Sequence, residues 1–267
     1  MELWVAPGLW AVLMVGSGAG WWLRARLHER HRTAQSVDAL RTVMSMMVTF
    51  AALVLGLLTS AAKSDFDARV HSLHTFGISL IELNQRLREY GPDAGPVRLT
   101  LRRYTAAAIA DTWRSEPQPA GDYPRPGSGT AAHTLESAQL GVMLLDVDEQ
   151  IALLVPATPL QRQLAPLLVG QMTAALQRRW DLVAGSNGTL SWPIVAVLLL
   201  WLALAFFLFG LSTEPNRLAA LVLSFAALSV AADGYLIVDL DTPLSGQIQL
   251  PSEPLRDALS HMDANSP

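Results

Sequence analysis

The sequence predicts an all-α, polytopic membrane protein with four transmembrane helices and a helical soluble module between the second and third. Three observations carry that prediction. Only 16% of the 267 residues are charged while 51% are apolar, where a soluble domain carries about a quarter charged residues. Among 19 basic and 23 acidic residues, only Asp233 and Asp239 fall inside the four apolar stretches 3–23, 42–62, 192–211 and 218–240. Each stretch is long enough to cross about 30 Å of hydrocarbon at about 1.5 Å per residue. Finally, the apolar residues of 63–191 recur mainly at the three- and four-residue spacing of helices. Four segments follow: residues 1–62, a transmembrane pair joined by an Arg-rich loop; 63–191, the module; 192–240, a second pair; and 241–267, a C-terminal tail.

The first stretch lacks the positive start of a signal peptide and ends on Trp21-Trp22 followed by Arg24 and Arg26, an interfacial anchor. Gly16 and Gly20, four apart, permit a close helix contact. The second stretch carries Thr42, Ser45, Thr49, Ala52, Gly56, Thr59 and Lys63 at spacings of three and four, which places them on one face. Lipid gains nothing from a small, hydroxyl-rich stripe, so it is expected to face protein or water, as helix packing or as the wall of a pore. The opposite face holds Met47, Val48, Leu53, Val54, Leu57 and Leu58.

The fourth stretch has its own small seam, Ala220, Ser224, Ala227, Ala231 and Gly234, and beside it the intramembrane acid Asp233. A carboxylate at that depth costs a few kcal/mol unless it is paired, protonated or wet, so it should face the bundle interior. Arginine density in residues 24–41 places that loop in the cytoplasm and the module outside, by a narrow margin.

In the module, apolar spacing continues the second helix beyond the membrane until Gly91-Pro92-Asp93 ends it. Further helices are expected over about 96–113, 131–154 and 159–182, the last capped by Thr158, with a Pro-, Gly- and Ser-rich loop at 116–130.

Composition narrows the chemistry. A net charge of −4 provides no field for nucleic acid, and the absence of cysteine excludes disulfides, thiol nucleophiles and Cys-ligated metals. No phosphate-binding glycine loop or nucleophile elbow occurs, so no enzyme and no cofactor is expected. Asp67, His71 and His74 fall on one helical face and form a weak two-histidine, one-carboxylate metal candidate.

Two stretches then look familiar: residues 50–77, running on to Leu101-Arg102-Arg103-Tyr104, and residues 206–259, which include Asp239-Leu240-Asp241-Thr242-Pro243-Leu244-Ser245-Gly246. Together they resemble the bacterial bestrophin-like domain family, and Asp239, Asp241, Pro243 and Gly246 form the most specific motif. The chain departs from the family at Ser72-Leu73-His74, where members commonly have Glu-Ala-Asn, and at Asp233, where members are mostly apolar. The layout is similar to that of bestrophins, pentameric anion channels whose second helix lines the pore. The resemblance implies a multi-pass inner-membrane protein in a lipid bilayer, a homo-oligomer passing small anions, with Thr42, Ser45, Thr49, Gly56, Thr59 and Lys63 toward the pore. It puts the module in the cytosol, opposite to the charge density, so sidedness stays open. The alternative is a non-conducting scaffold or sensor whose module binds a protein partner.

Overall fold

A computed structural model of the chain describes residues 4–26, 34–124, 137–184, 192–241 and 247–264. Among these residues there are eight α-helices and no strand: α1 (Val5–Arg26), α2 (Ala34–Tyr90), α3 (Gly95–Thr112), α4 (Ala138–Ala152), α5 (Pro159–Ala184), α6 (Trp192–Ser212), α7 (Arg217–Asp241) and α8 (Glu253–Ala264). They group into two compact units, one of residues 1–66 and 188–248, the other of residues 67–187 and 249–267.

The first unit contains the apolar helices. Three helices among the described residues are long and apolar enough to cross a membrane: α2 from Leu40, α6 from Pro193, and α7. Helix α1 falls outside that set because Pro7, four glycines, Ser17 and three tryptophans dilute its apolar residues. It is nevertheless packed against α6 and α7. The core joins Leu13 of α1, Ala51 of α2, Leu198, Leu202 and Phe206 of α6, and Leu223 and Ala227 of α7.

Small residues let α1 and α6 meet backbone to backbone. A methyl group at Gly20 would stand 2.1 Å from the Phe207 carbonyl oxygen, and one at Gly210 would stand 2.1 Å from that of Ser17. Gly16 also faces α6 across this seam, its Cβ position 3.1 Å from Ala203 O. At the end of the crossing, Arg24 Nη1 donates to the carbonyls of Leu211 (3.3 Å) and Ser212 (2.9 Å), satisfying the open end of α6. Arg26 lies over the Trp22 ring at 4.1 Å, as an anchoring pair would.

The second unit is a helical bundle. Leu73, Phe76, Leu80, Leu83 and Leu87 of α2 are fully buried, as the 3/4 spacing requires. Helix α5 starts with a capping box: Thr158 Oγ1 accepts from Gln161 N, while Gln161 Oε1 accepts from Thr158 N. The Gln161 side chain also donates to Tyr90 O and Asp93 Oδ2, tying this start to the end of α2. Helix α4 begins at Ala138 after a non-helical Ser137, and residues 131–136 of the expected helix lie outside the described residues.

The tail contributes α8. Leu255, Ala258, Leu259 and Met262 form its buried face, and a methyl at Gly77 of α2 would stand 2.7 Å from Pro254 O. Trp113 Nε1 donates to Leu250 O at 2.7 Å, and Glu116 accepts from Ser252 and Arg256.

Tyr104 of α3 is wholly buried in this bundle. Burial pushes its phenol from an ordinary value of 10.0 up to about 12, against the opposing pull of the Arg179 guanidinium beside it. A phenol raised in the folded state stays neutral longer there than in the unfolded chain. Its contribution is therefore complete below about pH 10 and is lost between about pH 10 and 12. Two pH units correspond to about 3 kcal/mol. Tyr104→Phe is expected to lessen the loss of stability over that window, read as unfolding midpoint against pH.

Candidate functional site

The membrane portion of α2 presents three faces. One packs into the chain's own core through Ala51, Val54, Leu55 and Leu58, with Ala62 buried below. A second is apolar and exposed: Val43, Met46, Phe50, Leu53 and Leu57. The third is the stripe, on which Thr42, Ser45, Thr49, Ala52, Gly56 and Lys63 are all exposed and Thr59 is half-buried. The face opposite the stripe is thus divided, with Val54 and Leu58 turned inward and Leu53 and Leu57 outward.

The hydroxyls are oriented by the helix itself. Thr42 donates to Asp38 O (3.0 Å), Ser45 to Thr42 O (2.8 Å) and Thr49 to Ser45 O (2.8 Å). Each hydroxyl has one proton, so bonded in this way it turns lone pairs outward. Presenting a proton outward requires rotation about Cβ–Oγ and loss of a bond with a net value of about 1 kcal/mol.

At one end the stripe meets the intramembrane acid. Thr59 Oγ1 donates to Leu55 O at 2.9 Å and lies 3.4 Å from both carboxylate oxygens of Asp233 on α7. One turn further on, the Lys63 ammonium lies 5.6 Å from the Phe66 ring centroid. A cavity of about 560 Å³ also opens in this unit, lined by apolar side chains such as Leu9, Leu58, Leu202 and Ile237, with Asp241 on its wall.

The motif at the end of α7 is built on Asp239. This side chain is 1% exposed, and its two oxygens accept from successive backbone amides, Gln247 N to Oδ1 at 2.7 Å and Ile248 N to Oδ2 at 2.9 Å. Tyr235 Oη stands 3.4 Å from Oδ1. Pro243 and Gly246 lie outside the described residues.

The bestrophin-like domain model matches residues 11–255. The chain belongs to the bestrophin-like domain family. Among solved structures it is similar to a bacterial bestrophin homologue from Klebsiella pneumoniae carrying an isoleucine-to-threonine substitution, at 13% identity and TM-score 0.66, covering 98% of both chains. A tyrosine-to-alanine variant of a Klebsiella pneumoniae bestrophin homologue gives 13% identity and TM-score 0.64 over 96% of this chain and 97% of that one. A membrane protein with a proline-to-alanine substitution gives 14% and 0.62, over 98% and 97%. At these identities the likeness is one of fold. No curated protein matches the sequence. Family and apolar helices together make this a multi-pass membrane protein.

Seen as a bestrophin-like chain, the predicted site residues separate into groups. The stripe remains together and outward-facing, Asp233 joins it through Thr59, and Asp239 is a buried structural acceptor. Asp67, His71 and His74 are exposed, and no cluster of three metal-ligating side chains occurs among the described residues. Two features went unpredicted. The first, Gly210 against Ser17, was signalled only by a glycine within an otherwise bulky apolar helix. The second, α8, had a visible signal in the 3/4 spacing of Leu255, Leu259 and Met262.

Proposed function

We propose that the protein is an oligomeric ion channel of the inner membrane, with four spans per chain and α2 nearest the axis. The observation that carries this reading is the exposure of the α2 stripe. A scaffold whose second span merely packs would bury Thr42, Ser45 and Thr49 against its own α7, yet only Thr59 makes such a contact. Helix α1 serves as the fourth span in this reading, since Gly16, Gly20 and Gly210 form the small-residue seam with α6 that membrane helices use to pack closely. A ring of copies would cover the exposed faces of α2. Lys63 at the stripe's end attracts anions, and the hydroxyls replace part of an ion's hydration shell, at about 1 kcal/mol for each proton rotated outward.

The exposed apolar row favours a second arrangement, in which Phe50, Leu53 and Leu57 form a hydrophobic constriction that gates by dewetting. Chloride and sodium flux into liposomes, with Thr49→Leu and Leu53→Thr compared to the parent, separates these arrangements. With the stripe on the axis, Thr49→Leu is expected to lower chloride flux at least tenfold and Leu53→Thr to leave it within about twofold. An axial apolar row reverses that order, with Leu53→Thr raising flux. Absence of chloride and sodium flux in the parent under all conditions would refute the channel.

A further inference from the structure

The cavity of about 560 Å³ in the first unit lies among α1, α2, α6 and α7, apart from the α2 stripe. Its walls come from the N-terminal halves of α1 and α6 and the C-terminal half of α7, with Leu55 and Leu58 of α2 beside them. Along α1 it runs from Val5 to Val12, and along α6 from Val195 to Leu202. Each run is about 10 Å long at about 1.5 Å per residue, set against the roughly 15 Å depth of one hydrocarbon leaflet. Asp241, the last residue of α7, supplies the one polar side chain of the wall and marks the end where the span finishes.

The sequence explains why the helices part here. The small seam of α7 is closed at Ala227 and Ala231, both wholly buried. Its next member, Gly234, lines the cavity and has no side chain with which to fill it. A methyl there would stand 2.7 Å from Leu9 Cδ2, so the glycine admits Leu9 and sets this wall back. Packed interiors hold few voids larger than a water molecule, so a space of this size calls for an occupant. Water does not serve, because a bound water needs two to four polar partners and apolar cavities stay dry.

The occupant must therefore be hydrocarbon. An apolar cavity of about 150 Å³ admits one benzene, so this one has room for a long alkyl chain. Nor is the space sealed: Val12 on its wall is 53% exposed, whereas Leu198, Leu202 and Ile237 are buried. At the surface of a multi-pass membrane protein, the alkyl chains within reach are those of lipids. We propose that this cavity binds one acyl chain of a bilayer lipid, held among α1, α2, α6 and α7 with the headgroup at the Asp241 end. The chain touches Leu55 and Leu58 on the inward face of α2, and Val230 and Gly234 on either side of Asp233. It thereby supports the packing of α2 on α7 beside the Thr59–Asp233 contact. This inference requires a membrane protein but not a channel, and its test reads no flux.

The test places the full chain in phosphatidylcholine liposomes doped with a phosphatidylcholine that carries a photoreactive diazirine on one acyl chain. After illumination, peptide mass spectrometry locates the labelled side chains. Leu200 and Phe225 are exposed and report lipid at the outer surface of α6 and α7. Label is expected on the buried wall as well, at Leu198, Leu202 or Ile237. Val230→Phe and Val195→Phe fill the space from opposite helices, and each should lower wall label about tenfold while surface label stays within about twofold. Retained surface label shows that a variant is folded in the membrane, and either variant suffices. A diazirine fatty acid in the same liposomes separates the sources: wall label from the fatty acid alone would overturn a bilayer lipid as the occupant. Label confined to exposed side chains in the parent, or wall label undiminished in both variants, would overturn the site itself.

Discussion

Gly20→Ala is expected to destabilise the first unit by about 3 kcal/mol or more, lowering the unfolding midpoint in detergent by roughly 6–12 °C. The added carbon would lie 2.1 Å from the Phe207 carbonyl oxygen and 2.7 Å from Leu211 N, so it meets backbone on every near side. A flexible side chain could swing aside, but backbone moves only if α1 and α6 separate. Separation would open the seam along Gly16 and pull Arg24 from the carbonyls of Leu211 and Ser212. Gly210→Ala is expected to act alike, because its Cβ would stand 2.1 Å from Ser17 O. The double variant should cost less than the sum, since the first substitution already moves the helices apart. Gly18→Ala is the control: its Cβ meets nothing within 4 Å, and alanine's better helix propensity should leave stability equal or slightly higher. A Gly20→Ala protein that melts with the parent would show that close packing of α1 on α6 contributes little.

Apolar length and spacing made most of the helices legible. Residues 73, 80, 83 and 87 are spaced so that a helix can bury all of them together, and α2 buries every one. Thr158 with Gln161 three residues on is a local signal, and it produced the capping box that starts α5. Helix α8 shows the opposite case. Its apolar face is short, and it is held by Glu116 on Arg256 and by Gly77 against Pro254, more than a hundred residues earlier. Short amphipathic helices owe their stability to such distant packing, which a local reading does not contain. Likewise, α1 passes for a span by its lack of charge, yet what distinguishes it is the glycine seam it shares with α6.

The candidate site was legible as a pattern but not as an orientation. Spacing put Thr42, Ser45 and Thr49 on one face, because helix geometry alone decides that. It had no means of deciding that Leu53 and Leu57 turn outward while Val54 and Leu58 turn in, since all four are equally apolar. That division depends on where α6 and α7 lie. The hydroxyls show a further gap: their residue type promises donors, while the helix carbonyls beside them take the protons.

Asp239→Asn tests how the motif at the end of α7 works. Its carboxylate spreads two acceptors across two successive backbone amides, one oxygen for Gln247 N and the other for Ile248 N. Asparagine keeps the size but has one acceptor oxygen, so its NH2 group must face one of those N–H donors. The substitution loses a charge-assisted bond and creates a buried donor–donor contact, at a cost of about 3 kcal/mol. Hydrogen exchange gives the local measurement: the amides of Gln247 and Ile248 should exchange at least about a hundredfold faster in Asp239→Asn. Asp239→Glu is expected to fare little better, because the extra methylene displaces both oxygens from amides already at 2.7 and 2.9 Å. If ion binding were the reason for this acid, Asp239→Asn would alter flux while leaving both amides protected. With the carboxylate 1% exposed and accepting from the backbone through both oxygens, the loss of protection is the expected result, which makes the motif a fastener for the chain's return from α7.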